Sequence, residues 1–193
     1  MIKAIRLIFE PAQAWTEIAQ AKKSLRAVFF LFLLPLVILS VGGEVAGMHY
    51  WGRLDDLNEK VKLSTKILIY YGVAQFVLSL VVVFLGASLI KGLAGTFHGR
   101  HTYEQCFRLA AYAISPLYLV RLLDVHPRMD LWVCFAIGIV LSVATLYQGV
   151  PRMLEPDPPH AFGLYVSSMI ILTIVAGLAR ALSWLVLIGK IAG

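Results

Sequence analysis

The sequence predicts an all-α integral membrane protein, a five-helix transmembrane bundle with an N-terminal amphipathic interfacial helix. Of its 193 residues, 60% are hydrophobic and only 15% are charged, and the mean hydropathy is +0.81. Soluble domains carry about 25% charged residues, so this chain lacks the polar surface of a soluble globular enzyme. Long charge-free runs rich in Leu, Ile, Val and Phe show none of the alternation of a membrane β-barrel, which indicates helices.

The charge-free runs define the spans. Because a spanning helix uses about 20 residues, the chain has room for five or six spans with short loops. We predict a five-span membrane domain over residues 27–193. Its spans are residues 27–48, 66–95, 104–123, 130–150 and 161–189.

The third span is the shortest apolar run. Its charge-free part, Leu109 to Val120, crosses a bilayer only if Arg108 and Arg121 belong to the helix and extend towards opposite interfaces. Pro35 and Pro116 fall inside spans and predict kinks in the first and third helices.

Residues 1–26 form a different kind of segment, which we call the leader. Ile2, Ile5 and Phe9 recur at helical spacing, and Pro11 suits the first turn of a second short helix. This pattern predicts an amphipathic cytoplasmic leader lying in the membrane interface, with Trp15 as its anchor at headgroup depth.

The net charge of +6 and the pI near 9.4 fit a basic membrane protein. Basic residues flank spans because of insertion rules and anionic headgroups, so we expect the lipid bilayer as partner and no nucleic acid. The cluster of Lys22, Lys23 and Arg26 before the first span predicts a cytoplasmic N-terminus. Five spans then place the C-terminus outside.

No catalytic constellation stands out in the sequence. Motifs for nucleophilic, zinc-dependent or phosphate-binding chemistry are missing from it, and His98 and His101 form only an isolated pair. We therefore predict that the protein is not an enzyme and has no catalytic residue, no cofactor and no metal.

A small set of polar residues lies within or at the edges of the predicted spans. An ionisable residue in a membrane span is by default a candidate for function, although pairing or reach to an interface also explains it. Arg180 is flanked by apolar runs on both sides, and Glu44 is its expected partner. The intramembrane polar candidates are Glu44, Gln75, Arg108, Arg121, Gln148 and Arg180.

Several short motifs carry a resemblance to a known family. The stretch GTFHGRHTYEQCFRLAAYAISP, from Gly95 to Pro116, leads from a turn into the third span. A YxGVP motif ends the fourth span, and a PxxxW motif, Pro11 to Trp15, lies in the leader. The chain resembles the Yip-one (Ypt-interacting protein) domain family, most closely its bacterial inner-membrane branch. The residues that match the family pattern are the turn glycines Gly95 and Gly99, then Tyr112, Ala113, Pro116, Tyr147, Gly149 and Pro151.

This resemblance implies five spans, a cytoplasmic N-terminus, a bacterial inner-membrane location and a non-enzymatic role. Our first hypothesis is a scaffold- or trafficking-like protein that organises membrane or partner proteins. A protein partner or a homo-oligomer is consistent with this hypothesis. The alternative is a small oligomeric transporter or channel for an ion, lipid or small molecule.

Pro116 allows a structural prediction. Because proline has no N–H, the carbonyl of Tyr112 loses its helical donor and needs another partner. We expect the third helix to bend here towards the second and fourth spans. Gln75, Gln148 or the hydroxyl of Tyr147 would then supply the hydrogen bond.

Overall fold

A bundle of long helices forms the structure, a computed structural model that describes residues 2–54, 60–96, 101–126, 128–156 and 158–191. Five helices in these ranges are long and apolar enough to cross a membrane, which confirms the predicted number of spans. They begin and end within about one helical turn of the predicted bounds. The first to fifth spans are Leu25–Trp51, Thr65–Gly95, Tyr103–Val125, Leu131–Leu154 and His160–Ile188.

The first span changes its winding at a proline. It starts with an α-helical turn over Leu25–Val28, continues as a π-helical turn over Phe29–Leu33 and ends as an α-helix over Leu34–Trp51. The wide turn lies directly before Pro35, where a regular helix would place the proline ring against a carbonyl one turn earlier. After this span, two short strands, β1 (Arg53–Leu54) and β2 (Lys60–Val61), pair antiparallel.

The other helices run slightly beyond some of these span limits. The second span belongs to a helix over Thr65–Thr96, the fourth is the helix Leu131–Leu154, and the fifth belongs to a helix over Pro158–Ile191. The second and fifth spans pack along each other more extensively than any other pair of helices.

The third span is the central helix of the bundle. In its most apolar stretch 83% of the residues are buried inside the protein, against 28–39% in the other four spans. It is also the least hydrophobic of the five. Because protein rather than lipid surrounds it, polar side chains on this helix face other helices, which explains why its apolar run is short.

The third span is broken where the proline predicts a kink. Its segments are Tyr103–Ala113, Ser115–Val120 and a 3₁₀ turn over Arg121–Val125. Tyr112 and Pro116 are buried, and the span packs against the second and fourth spans. The carbonyl of Tyr112, however, accepts a hydrogen bond from the Ser115 hydroxyl at 2.7 Å.

The partner expected for that carbonyl was therefore wrong. Ser115 supplies the donor from within the same helix, so the backbone needs no side chain from another span. Gln148 instead accepts a hydrogen bond from Arg152 through its side chain, at 2.6 Å, and Tyr147 is 57% exposed. A serine directly before a proline can satisfy the freed carbonyl locally.

The leader folds as two helices, α1 (Ile2–Phe9) and α2 (Pro11–Ala21). Pro11 opens α2, as predicted, because its missing N–H is unpaired at a first turn anyway. Arg6 in α1 donates two hydrogen bonds of 2.8 Å to the carboxylate of Glu17 in α2. This pairing lowers the pKa of the exposed Glu17 carboxyl below its usual range and closes the two helices on each other.

Trp15 is buried in protein rather than exposed to lipid, as the predicted anchor would be. It has no exposed surface, and its indole N–H donates to the carbonyl of Thr145 in the fourth span at 2.8 Å. Gly149 makes room for the ring, since a Cβ there would lie 2.6 Å from the indole. Tyr112 packs edge-on against the same ring. Two of the family-motif residues, Tyr112 and Gly149, thus form the packing site for Trp15 of the leader.

The remaining motif residues have plainer positions. Gly95 lies near the C-terminal end of the helix Thr65–Thr96, whereas the prediction placed it in the loop that follows. A Cβ added there would have open space around it. Ala113 is buried next to the break in the third span, and Pro151 lies inside the last part of the fourth helix. Gly99 lies outside the described residues.

We expect Trp15→Ala to lower the free energy of unfolding by on the order of 3 kcal/mol, because it leaves a large cavity and removes the indole hydrogen bond to Thr145. The measurement is reversible unfolding by dodecyl sulfate in lipid–detergent micelles. Trp51→Ala is the matched control, since Trp51 is 59% exposed, and it should change little. Equal effects of the two substitutions would contradict the docked position of Trp15.

Candidate functional site: a buried polar cluster

Charged and polar side chains from four of the five spans meet inside the bundle, towards the end opposite the one where the leader joins the first span. All of them are nearly inaccessible, at 0–8% relative exposure. We call this group the polar cluster. It contains Glu44 from the first span, Tyr71, Gln75 and Ser79 from the second, Arg121 and Asp124 from the third, and Arg180 and Ser183 from the fifth.

Arg180 joins the two carboxylates of the polar cluster. Its Nη1 lies 3.0 Å from Oε1 of Glu44, and its Nη2 lies 2.9 Å from Oδ2 of Asp124. Tyr71 completes this arrangement, because its hydroxyl donates to Oε1 of Glu44 at 2.5 Å and accepts from Nη1 of Arg180 at 3.2 Å. One guanidinium therefore connects the first, second, third and fifth spans through short charge-assisted bonds.

Arg121 supplies a second positive charge. Its Nη1 donates to the hydroxyl of Ser79 at 3.1 Å, and its Nε lies 3.9 Å from Oε2 of Glu44. The guanidinium also lies over the ring of Tyr118, 5.4 Å from its centre, while the Tyr118 hydroxyl donates to the backbone carbonyl of Ser79. Arg121 thus points into the bundle and does not extend to an interface as predicted.

Gln75 lies between the two arginines. The hydrogen-bond network assigns its amide oxygen towards them, where it accepts from Arg180 at 2.9 Å and from Arg121 at 3.0 and 3.2 Å. Its amide nitrogen then donates to the hydroxyl of Ser183. The neutral amide separates two like charges and satisfies donors of both.

Small residues bring the third span close to Glu44. A Cβ on Gly47 would lie 2.6 Å from the Cα of Val125, and a Cβ on Gly43 would lie 3.2 Å from the side chain of Leu122. Larger side chains at these two positions would push the 3₁₀ turn away. The turn carries Arg121 and Asp124, so the glycines allow both residues to reach Glu44.

Arg53, just beyond the end of the first span, adds a third positive charge near the polar cluster. Burial is the main cause that lowers the pKa of Arg53, and Arg180 lowers it further. Tyr71 and the carboxylates of Glu44 and Asp124 act in the opposite direction. The two carboxylates therefore also stabilise the positive charge of Arg53, in addition to the charges of the arginines bonded to them.

The polar cluster is tightly packed. The cavity described beside Gln75, Ser79, Arg121 and Arg180 has a volume of about 10 Å³. A single water needs about that much space, so a substrate or a hydrated ion does not fit there. Among the described residues, the charges can fix the helices against one another, and the cavity beside Gln75 and Arg180 is too small to form an open path.

Four of the six polar candidates from the sequence come together in the polar cluster, and the expected pair of Glu44 and Arg180 is in contact. The other two lie elsewhere. Gln148 bonds Arg152 in its own helix, and Arg108 lies near the leader end of the third span, where it is 9% exposed.

Sequence reasoning missed Tyr71, Ser79, Asp124 and Ser183. Asp124 carried a usable signal, because it follows Arg121 by one helical turn directly after an apolar run and therefore lies on the same face. Hydroxyl groups within long apolar spans carry no such signal, since they equally often bond their own backbone, as Ser183 also does with the carbonyl of Ala179.

Among the described residues, no group of three or more His, Cys, Asp and Glu side chains is arranged to hold a metal. Fold and polar cluster together define a polytopic membrane protein whose spans are connected by buried charge pairs. Residues 5–181 match the Yip1 domain, so the chain belongs to the Yip1 domain family, which confirms the resemblance seen in the motifs.

The chain is also similar to a curated bacterial protein. It is 24% identical over 160 residues to the inner membrane protein YohC of Escherichia coli K12, an alignment that covers 81% of this chain and 78% of YohC. YohC of Escherichia coli O6:H1 matches with the same identity and coverage. No solved structure is significantly similar to the chain.

We expect Arg180→Leu to lower the free energy of unfolding by about 3–5 kcal/mol, because it leaves two buried carboxylates without their main partner. Arg128→Leu is the control, since Arg128 is exposed, and it should cost little. Dodecyl sulfate unfolding in mixed micelles measures both.

A double-mutant cycle with Glu44→Gln tests the pairing itself. The combined variant should cost less than the sum of the single variants, because the charge that each leaves unpaired is then removed. Strict additivity would contradict a coupled charge pair.

Proposed function

We propose that this protein is a non-catalytic scaffold of the bacterial inner membrane that organises membrane or partner proteins in a trafficking-like role. The main support is the closed geometry of the polar cluster. Its carboxylates bond guanidinium and hydroxyl groups of neighbouring helices, and the space beside them is about 10 Å³. Buried charges arranged in this way are suited to fixing helix positions, whereas a transport path needs an accessible binding site.

The leader provides a surface for such a role. Ala4 and Leu7 of α1 face the bundle, whereas Ile2, Ile5 and Phe9 are 76%, 48% and 79% exposed. We propose that these outward apolar residues contact lipid beside the bundle, where α1 packs against the Ser115–Val120 part of the third span, so that the leader presents an amphipathic face to the bilayer. The same face can contact a protein partner or a second copy of the chain.

A transporter is the second candidate function, because Glu44, Arg121, Asp124 and Arg180 are all ionisable and buried within the spans. Oε2 of Glu44 also has no hydrogen-bond partner among the described residues. A proton or ion path would need this carboxylate to become accessible in another conformation.

Proteoliposomes distinguish the two functions. With a pH-sensitive dye inside and a potassium diffusion potential, we expect the wild-type chain to move protons no faster than protein-free liposomes, and Glu44→Gln to behave identically. Proton uptake that the wild type shows and Glu44→Gln abolishes would contradict the scaffold and support transport.

The scaffold itself is tested by photo-crosslinking in cells. A photoreactive residue at Phe9 should give defined protein adducts, which the same residue at Val77, a 50% exposed position on the second span, should not give. Identical adduct patterns at the two positions would count against a partner surface on the leader.

We propose a cytoplasmic N-terminus, supported by the basic residues Lys22, Lys23 and Arg26 before the first span. Five spans then place the C-terminus outside. A reporter that is active only outside the membrane should be active when fused after Gly193 and inactive when fused after Arg26. Activity of both fusions, or of neither, would contradict this topology.

A further inference from the structure

A cavity of about 580 Å³ opens at the leader end of the bundle, away from the polar cluster. It lies between the end of α2, the start of the third span and the end of the fourth span. The charged and titratable residues that line it are Lys22, His101, Arg108, Arg152 and Glu155. Its volume lies within the range of roughly 300–1,000 Å³ that is typical of small-ligand sites.

Arg108 is the notable residue of this cavity. Its side chain is more than nine-tenths buried, yet its Nε and Nη1 have no hydrogen-bond partner among the described residues. Nε2 of His101, in the same lining, also has no partner. Buried donors of this kind are costly to leave unpaired, and a guanidinium is the costliest because it carries a charge. The polar cluster satisfies its arginines with carboxylates, whereas this cavity leaves Arg108 available.

The cavity carries an excess of positive charge. Lys22, Arg108 and Arg152 are cationic, and among the described residues of the lining Glu155 is the only carboxylate. Burial lowers the pKa of His101, so at neutral pH its ring is uncharged. Nη1 of Arg152 is already oriented by the carbonyl of Gln148 at 2.9 Å and by its side-chain oxygen at 2.6 Å.

We propose that this cavity binds a phosphate group, with Arg108 as its main ligand and Lys22 and Arg152 as flanking charges. A phosphate offers several acceptor oxygens to a guanidinium, and the enclosed Nε and Nη1 of Arg108 can bind such oxygens in pairs once the side chain turns towards the cavity. The group belongs either to the headgroup of an anionic phospholipid or to a free phosphate ester. Both sources fit a cavity formed where three helices end, which is where headgroups lie.

Native mass spectrometry of the purified full-length chain tests the lipid source. We expect bound phosphatidylglycerol at higher occupancy than phosphatidylcholine, and an affinity for phosphatidylglycerol that falls about tenfold or more in Arg108→Gln. Arg128→Gln, which removes an exposed arginine at the opposite end, should bind as the wild type does. Lys22 is exposed, so Lys22→Gln should fold normally and weaken binding about threefold. If Arg108→Gln does not fold, the lipid affinity of Lys22→Gln tests the proposal instead.

Titration with sn-glycerol 3-phosphate tests the free source. If this ester raises the thermal unfolding temperature of the wild type and displaces the lipid, the cavity binds the free ester as well. If the lipid binds and the ester does neither, the ligand is a headgroup. The proposal is overturned if neither compound binds, or if Lys22→Gln and every folded Arg108 variant bind as the wild type does. Because the cavity is separate from the polar cluster, this result is independent of the flux measurement.

Discussion

The structure depends on one constraint, namely that the charge of Arg180 has to be neutralised inside an apolar bundle. A guanidinium at membrane depth is costly unless it is paired, and its planar shape allows it to bond two carboxylates at once. Arg180 uses this shape to hold Glu44 of the first span and Asp124 of the third, at 3.0 and 2.9 Å. Apolar contacts alone tolerate rotation of one helix against another, whereas these bonds form only when the spans have particular rotations and depths.

Much of the remaining architecture follows from this constraint. The third span must carry Arg121 and Asp124 towards Glu44, and it can do so only if other helices shield it from lipid. Its central position, with 83% of its most apolar stretch buried, provides this shielding. The glycines at 43 and 47 then let the last turn of the third span approach the first span closely. Low hydropathy, central position and small contact residues are consequences of one requirement.

The sequence predicted those parts of the structure that depend on the lipid alone. Long apolar runs have to span the bilayer, and an arginine within such a run needs a carboxylate partner. The five helices and the pair of Glu44 and Arg180 could therefore be predicted from the sequence. Trp15 was misplaced because tryptophan is as suitable for a headgroup region as for a protein core. Only the space above Gly149, which is a property of the folded bundle, decides between the two. The Tyr112 carbonyl was misassigned for a similar reason, since its partner Ser115 is a local residue.

The two ends of the bundle solve the problem of buried arginines in opposite ways, and this contrast indicates where function lies. At one end Arg121 and Arg180 are bonded by side chains of neighbouring spans around a space of about 10 Å³. At the leader end Arg108 has unpaired donors beside a cavity of about 580 Å³. A protein that needed only stability would neutralise both ends alike, because an unpaired buried charge has a free-energy cost. The match to the Yip1 domain begins at residue 5, so it includes most of the leader that forms one wall of this cavity. The leader is thus docked on the bundle by Trp15, and its C-terminal end lines the cavity beside the unpaired donors of Arg108.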